Sequence, residues 1–139
     1  MKQFNLLLLI ALITSACSSS NSSEGKATVD KATAPVMTFA KESHDFGQVN
    51  EGDKVVFDFF FTNTGKSALI ISNATATCCC TVPEYPKKPL APGKTGIIHV
   101  VFNTTGKSGM QNKIITLTTN TFKGNEELHL VGNVKPKNK

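Results

Sequence analysis

The chain contains no tryptophan and no arginine: its fifteen basic residues are all lysine, set against ten acidic ones for a formal charge of +5. Without tryptophan it lacks the buried indole that marks antibody-type domains. Without arginine it lacks the planar fork that grips phosphate and guanine edges. Its lysines are scattered and mostly near turns, which is a solvated surface and not a nucleic-acid footprint. Cysteine is scarce too. There are four, and three of them are consecutive, so no distant pair exists to link two sheets. The one long apolar run, Phe4 to Ile13, has ten residues. A membrane-spanning helix needs about 20.

That run follows Lys2 and is followed at once by small residues, the pattern of a secretory signal over residues 1–16. Thr14-Ser15-Ala16-Cys17 resembles a bacterial lipobox, where signal removal leaves a lipid-modified cysteine. Thr14 stands where leucine is usual, and Thr-Ser-Ala also suits ordinary signal peptidase. The serine-rich stretch after Cys17 favours the lipoprotein reading, with a membrane partner reached through lipidated Cys17. Ser18 and Ser19 are not acidic and give no signal for surface display, so the expected location is the cell envelope, facing the periplasm. Residues 17–35 are too poor in large apolar groups to form a core and read as a flexible tether. As a coil, the stretch after Cys17 separates its ends by roughly 20–25 Å. Residues 36–134 make one domain, and 135–139 a disordered tail.

Within the domain no segment keeps an apolar helical period, but several alternate with period two. In Lys54 to Asn63, Val55, Phe57, Phe59 and Phe61 point one way and Lys54, Asp58 and Thr62 the other. Val56 and Phe60 spoil the polar side, which implies that it is partly covered. Further strands are expected at 36–39, 44–46, 68–72, 96–102, 113–119 and 127–134, with Ile98, Val100, Phe102, Ile115, Leu117, Leu128 and Leu130 inward. Glycine-containing turns separate them. About seven short antiparallel strands in about 100 residues indicate an all-β, immunoglobulin-like sandwich, with a small barrel as the alternative.

Catalytic patterns are missing. Gly-Lys-Ser/Thr occurs at 65–67, 93–95 and 106–108, but a phosphate loop needs a glycine five positions earlier, where Phe60, Lys88 and Val101 stand. These are turns. His99 and His129 fall on outward strand faces and His44 lies near a loop, and the acidic residues are dispersed except for Glu126-Glu127. No enzyme is indicated.

Cys78-Cys79-Cys80 is the remaining feature. Neighbouring Cα atoms lie about 3.8 Å apart, below the roughly 4.4–6.8 Å of disulfides, so adjacent bonding needs a distorted peptide. In an extended strand Cys78 and Cys80 share a face, but their Cβ atoms are too far apart to bond, so a bond between them needs a bend at Cys79. Four readings stay open: reduced thiols acting as small apolar fillers, a reducible Cys78–Cys80 disulfide, a copper(I) or zinc site on two thiolates, and bonds to another chain. In each of the site readings Cys79 is the lesser member.

His44-Asp-Phe-Gly-Gln-Val49, Phe59-Phe-Phe-Thr-Asn-Thr-Gly65, Leu69-Ile-Ile-Ser-Asn73, Cys78-Cys-Cys-Thr81, Leu90-Ala-Pro-Gly93 and Phe102-Asn-Thr-Thr-Gly106 recur in this order across nearly all of residues 36–134. The set resembles the bacterial envelope lipoproteins grouped as domain of unknown function 1573. The resemblance implies an immunoglobulin-like sandwich akin to major-sperm-protein and pilus-chaperone domains, with no cofactor or activity. It also implies that Cys78 and Cys80 match a family Cys-Gly-Cys pair, with Cys79 in the glycine's place. The expected role is a non-enzymatic, lipid-anchored binding or scaffolding module whose partner is an unknown envelope protein. A partner could add a strand to a free sheet edge. The alternative is a thiol redox or copper-handling protein using Cys78 and Cys80.

Overall fold

The computed structural model describes residues 30–137. The signal and lipidation readings, residues 1–16 and Cys17, lie outside the described residues. Eight strands form two four-stranded sheets: β1 (Met37–Phe39), β2 (Ser43–Asn50), β3 (Lys54–Asn63), β4 (Ile71–Ala76), β5 (Thr81–Glu84), β6 (Thr95–Asn103), β7 (Gly109–Thr119) and β8 (Asn125–Lys135). One sheet has the order β1-β3-β6-β5 and the other β2-β8-β7-β4. The architecture is the expected immunoglobulin-like sandwich.

The core is where the alternation put it. Phe59, Phe61, Ile98, Val100 and Phe102 from the first sheet meet Ile115, Leu117, Leu128, Leu130 and Val134 from the second, all essentially inaccessible to water. Burying each such side chain is worth about 1.5–3 kcal/mol relative to leaving it exposed. Phe57, expected inward, is only half-buried, and the ring of His44 stacks on it with centroids 3.6 Å apart.

The strand count and directions differ from the expectation of about seven antiparallel strands. The additional strand is β5, which carries Pro83 and has only four residues. Proline cannot donate to a ladder, so it tolerates only an edge position, and β5 is an edge. The pairing of β2 with β8 is parallel. Between Phe39 and Ser43 the chain leaves the first sheet and joins the second, so β2 runs alongside β8 in the same direction. β4 lies later than residues 68–72, because Leu69 bridges to Leu90 before the strand begins.

The outer boundaries move as well. Residues 30–35, assigned to the tether, are folded onto the sandwich: Ala34 is buried, and the Asp30 carbonyl accepts from the Thr33 and Ala34 amides. Lys135, assigned to the tail, belongs to β8 and pairs with Asn50.

Two buried polar side chains lock opposite poles of the sandwich. Asn63, at the end of β3, is fully buried. Its amide donates to the carbonyls of Ser67 and Leu90 at 2.8 and 2.9 Å, and its oxygen accepts from the amides of Gly65 and Val36 at 3.0 and 3.4 Å. It thereby ties the incoming chain to two loops. At the other pole the buried Thr104 hydroxyl lies 2.7 Å from the Asp53 carbonyl and 3.0 Å from that of Asn50.

Candidate functional site

The cysteine triplet occupies the corner where the chain changes sheets a second time. β4 pairs with β7 in one sheet, and the Thr77 amide still donates to Ile114 there. β5 pairs with β6 in the other, and the Cys80 carbonyl already accepts from the Asn103 amide. Residues between these two points must turn through the gap between the sheets. They do so in a tight turn in which the Thr81 amide donates to the Cys78 carbonyl at 3.1 Å. The chain therefore bends at Cys79 without glycine, because the sheet crossing imposes the bend.

That bend brings the Cα atoms of Cys78 and Cys80 to 5.3 Å, and the two sulfurs form a disulfide. The Cys78 sulfur also lies 3.7 Å from the Thr81 hydroxyl, while Cys80 leans on the core. Cys79 projects outward as a free, exposed thiol. Away from the corner, Tyr85 ties the end of β5 to the start of β4, donating its hydroxyl to the Ser72 carbonyl at 3.2 Å, with the Lys87 ammonium 3.3 Å from its ring centroid. Among the described residues, no group of three or more His, Cys, Asp or Glu side chains is placed to hold a metal ion.

The histidines do not converge. His99 lies on the outer face of the first sheet, its Nδ1 2.5 Å from the Asp58 carboxylate directly across the ladder. His129 stands on the outer face of the other sheet, 3.4 Å from the Asn112 side-chain oxygen. His44 is held below its ordinary value of 6.5, chiefly by burial and then by Lys41, with Asp45 acting in the opposite sense.

Sequence reasoning passed over the outer face of the first sheet as a site. Val56 and Val82 flank Val101, Phe60 pairs with Ile97, and between these apolar rows lies a polar row of Asp58, His99 and Glu84. Val56, Phe60, Val82 and Ile97 are about half exposed. The side expected to be partly covered is open among the described residues. The signal was visible in the two apolar residues that interrupt the polar side of 54–63. The edges of the sheets, by contrast, make poor templates for an added strand. β1 has three residues, β5 is short and carries Pro83, and β2 and β4 each contain a register shift.

These features define a small two-sheet β-sandwich with a disulfide-closed corner and two half-exposed apolar rows on one outer face. The chain belongs to the family described as protein of unknown function (DUF1573), whose model matches residues 37–134. No curated protein matches it. Among solved structures it is similar to a protein of unknown function from Porphyromonas gingivalis W83, with a TM-score of 0.66 and 14% identity over 78% of this chain and 51% of that one. It is also similar to the PapD-like domain 7 of human CEP192, with a TM-score of 0.59 and 9% identity over 99% of this chain and 100% of that domain. A third likeness, to the secreted serine protease VesC of Vibrio cholerae, has a TM-score of 0.56 and 16% identity over 76% of this chain. The chain spans about half of the Porphyromonas protein, and 24% of the protease. At these identities the likeness is one of fold.

Proposed function

We propose that the chain is a non-enzymatic binding or scaffolding module held in the bacterial cell envelope, facing the periplasm, by a lipid on Cys17. The observation that carries the binding part is the outer face of the first sheet, where half-exposed Val56 and Val82 flank Val101 in one row, half-exposed Phe60 and Ile97 form another, and the Asp58, His99 and Glu84 row lies between them. Isolated exposed apolar residues are ordinary, but two apolar rows framing a polar row on one sheet face are more than scattered singles and support an interaction surface. With the edges poorly suited to strand addition, the face is the better seat for a partner protein. A photocrosslinking side chain at Phe60 in intact cells should give a discrete adduct that the same probe at Glu127, on the other sheet, does not. Equal labelling at the two positions would falsify the assignment. The anchor is tested separately, by the mass of the mature N-terminus: an acylated Cys17 supports it, and an unmodified one removes it.

The disulfide supports a second reading, thiol exchange. A thiolate of a partner dithiol protein would attack one sulfur of the Cys78–Cys80 bond, forming a mixed disulfide and releasing the other sulfur as thiolate. The partner's second thiol would then displace the first, leaving the partner oxidised and Cys78 and Cys80 reduced. The reduced pair is also the form that would hold copper(I) or zinc. Replacing both cysteines by serine decides between the readings. Unchanged adduct formation and envelope phenotype sinks thiol chemistry, while loss of both sinks a purely scaffolding role.

A further inference from the structure

The pole at which the chain enters the described structure carries its own exposed apolar group. The β7–β8 turn raises Phe122, which is 59% exposed, beside Val36, 46% exposed, on the incoming segment. Ile70 sits at the root of the same turn, where its amide donates to the Asn120 side chain at 2.7 Å and its carbonyl accepts from the Asn120 amide. An open cleft of about 230 Å³ separates the turn from the incoming segment, floored by Ala34 and Met37. Lys31 and Lys123 stand at its rim, the Lys31 ammonium 5.7 Å from the Phe122 ring centroid, while Glu126 lies buried beneath Lys123 and is bonded to it. An aromatic tip between lysines with long apolar stems is the arrangement that settles at a bilayer interface, ring inward and ammonium groups at the headgroups.

The length and attachment of the preceding chain argue for the same occupant. Thirteen residues lead from Cys17 to Asp30, a length that would reach roughly 20 Å if it behaved as a coil. Asn63 and the Asp30 turn hold the first described residues at this pole, opposite the one where Lys135 and Lys137 lie. Tethering raises the effective concentration of a weakly membrane-active tip enough to keep it engaged. We propose that this pole is a membrane-resting surface, with Phe122 and Val36 dipping into the lipid interface, so that the domain lies seated on the bilayer in one orientation. The proposal rests on the anchored reading above.

Because the chain has no tryptophan, one introduced indole reports alone. The full chain, with six histidines inserted after Cys17, is held on vesicles of mixed zwitterionic and anionic phospholipid by a nickel-chelating lipid. This attaches it whether or not Cys17 is acylated, so failure of the anchor and failure of the resting surface are read separately. Phe122→Trp should show a blue shift and loss of iodide quenching on the vesicles. Met110→Trp, at the opposite pole and 78% exposed, should show neither. Identical spectra for the two variants, or an unshifted Phe122→Trp, would overturn the proposal. Both positions are exposed, so an unchanged thermal midpoint confirms that each variant is folded.

Discussion

Replacing Asn63 by alanine should unfasten the pole at which the chain enters. The buried amide makes three well-formed hydrogen bonds, at 2.8, 2.9 and 3.0 Å, and a longer fourth. Each bond contributes about 1 kcal/mol net, and buried partners left unmet cost as much or more. The expected loss is about 3 kcal/mol, equivalent to a fall in Tm of roughly 12–24 °C for a domain of this size. Urea unfolding followed by far-ultraviolet circular dichroism measures it, with a lower midpoint and an unchanged slope. Asn103 offers the internal control. It stands in the phrase Phe102-Asn-Thr-Thr-Gly-Lys-Ser108, which echoes Phe61-Thr-Asn-Thr-Gly-Lys-Ser67. Yet it is exposed, and its side chain bonds only within its own turn, to Thr105. Asn103→Ala should therefore cost less than about 1 kcal/mol, since surface changes usually do. If both variants lose the same amount, or Asn63→Ala loses under about 1 kcal/mol, the stapling role of Asn63 is wrong.

Further outcomes follow from other contacts. At Gly132 an added Cβ would run into the ring of Phe46, so Gly132→Ala should destabilise by about 1–3 kcal/mol through overpacking, read from the same urea curves. His44 binds its proton less readily in the folded chain than in the unfolded one. Its contribution is therefore full above about pH 6.5 and is lost as pH falls through that value toward the lowered folded pKa. His44→Gln should flatten the decline in stability between about pH 7.5 and 5.5, and an unchanged slope would refute the assignment. Reduction of Cys78–Cys80 opens a loop with a sequence separation of only two, so the fold should survive at a cost of about 1–2 kcal/mol. Alkylation of the residue 30–137 region should mark one thiol before reduction and three after it, counted by mass.

Much of the core was legible because alternation and burial share one cause. A residue such as Phe59 or Leu128 is inward because its neighbours two positions away are inward, and that is written locally. The parallel seat of β2 beside β8 was not legible, since it depends on residues some eighty positions apart. β5 was hidden by Pro83, which reads as a strand breaker and is tolerated here only because the strand is an edge. Asn63 read as the first residue of a turn and Glu126 as the start of a strand, and neither reading showed that its side chain is buried. Asn63 is held by its own turn together with Leu90 and Val36, both distant in sequence, and Glu126 by the Thr121 hydroxyl and Lys123 ammonium of its own turn. At the cysteines, spacing showed that a bond needed a bend. What makes the bend is the crossing from one sheet to the other, which only the topology supplies.

The parallel alignment of β2 with β8 has a mechanical consequence. The chain enters at one pole and leaves at the other, and the two strands run together from the first to the second. Tension between the termini therefore pulls β2 one way and β8 the other along their shared ladder. Its hydrogen bonds are loaded together in shear and do not open one after another like a zip. A domain wired in this manner holds its shape under pull until the whole ladder gives way.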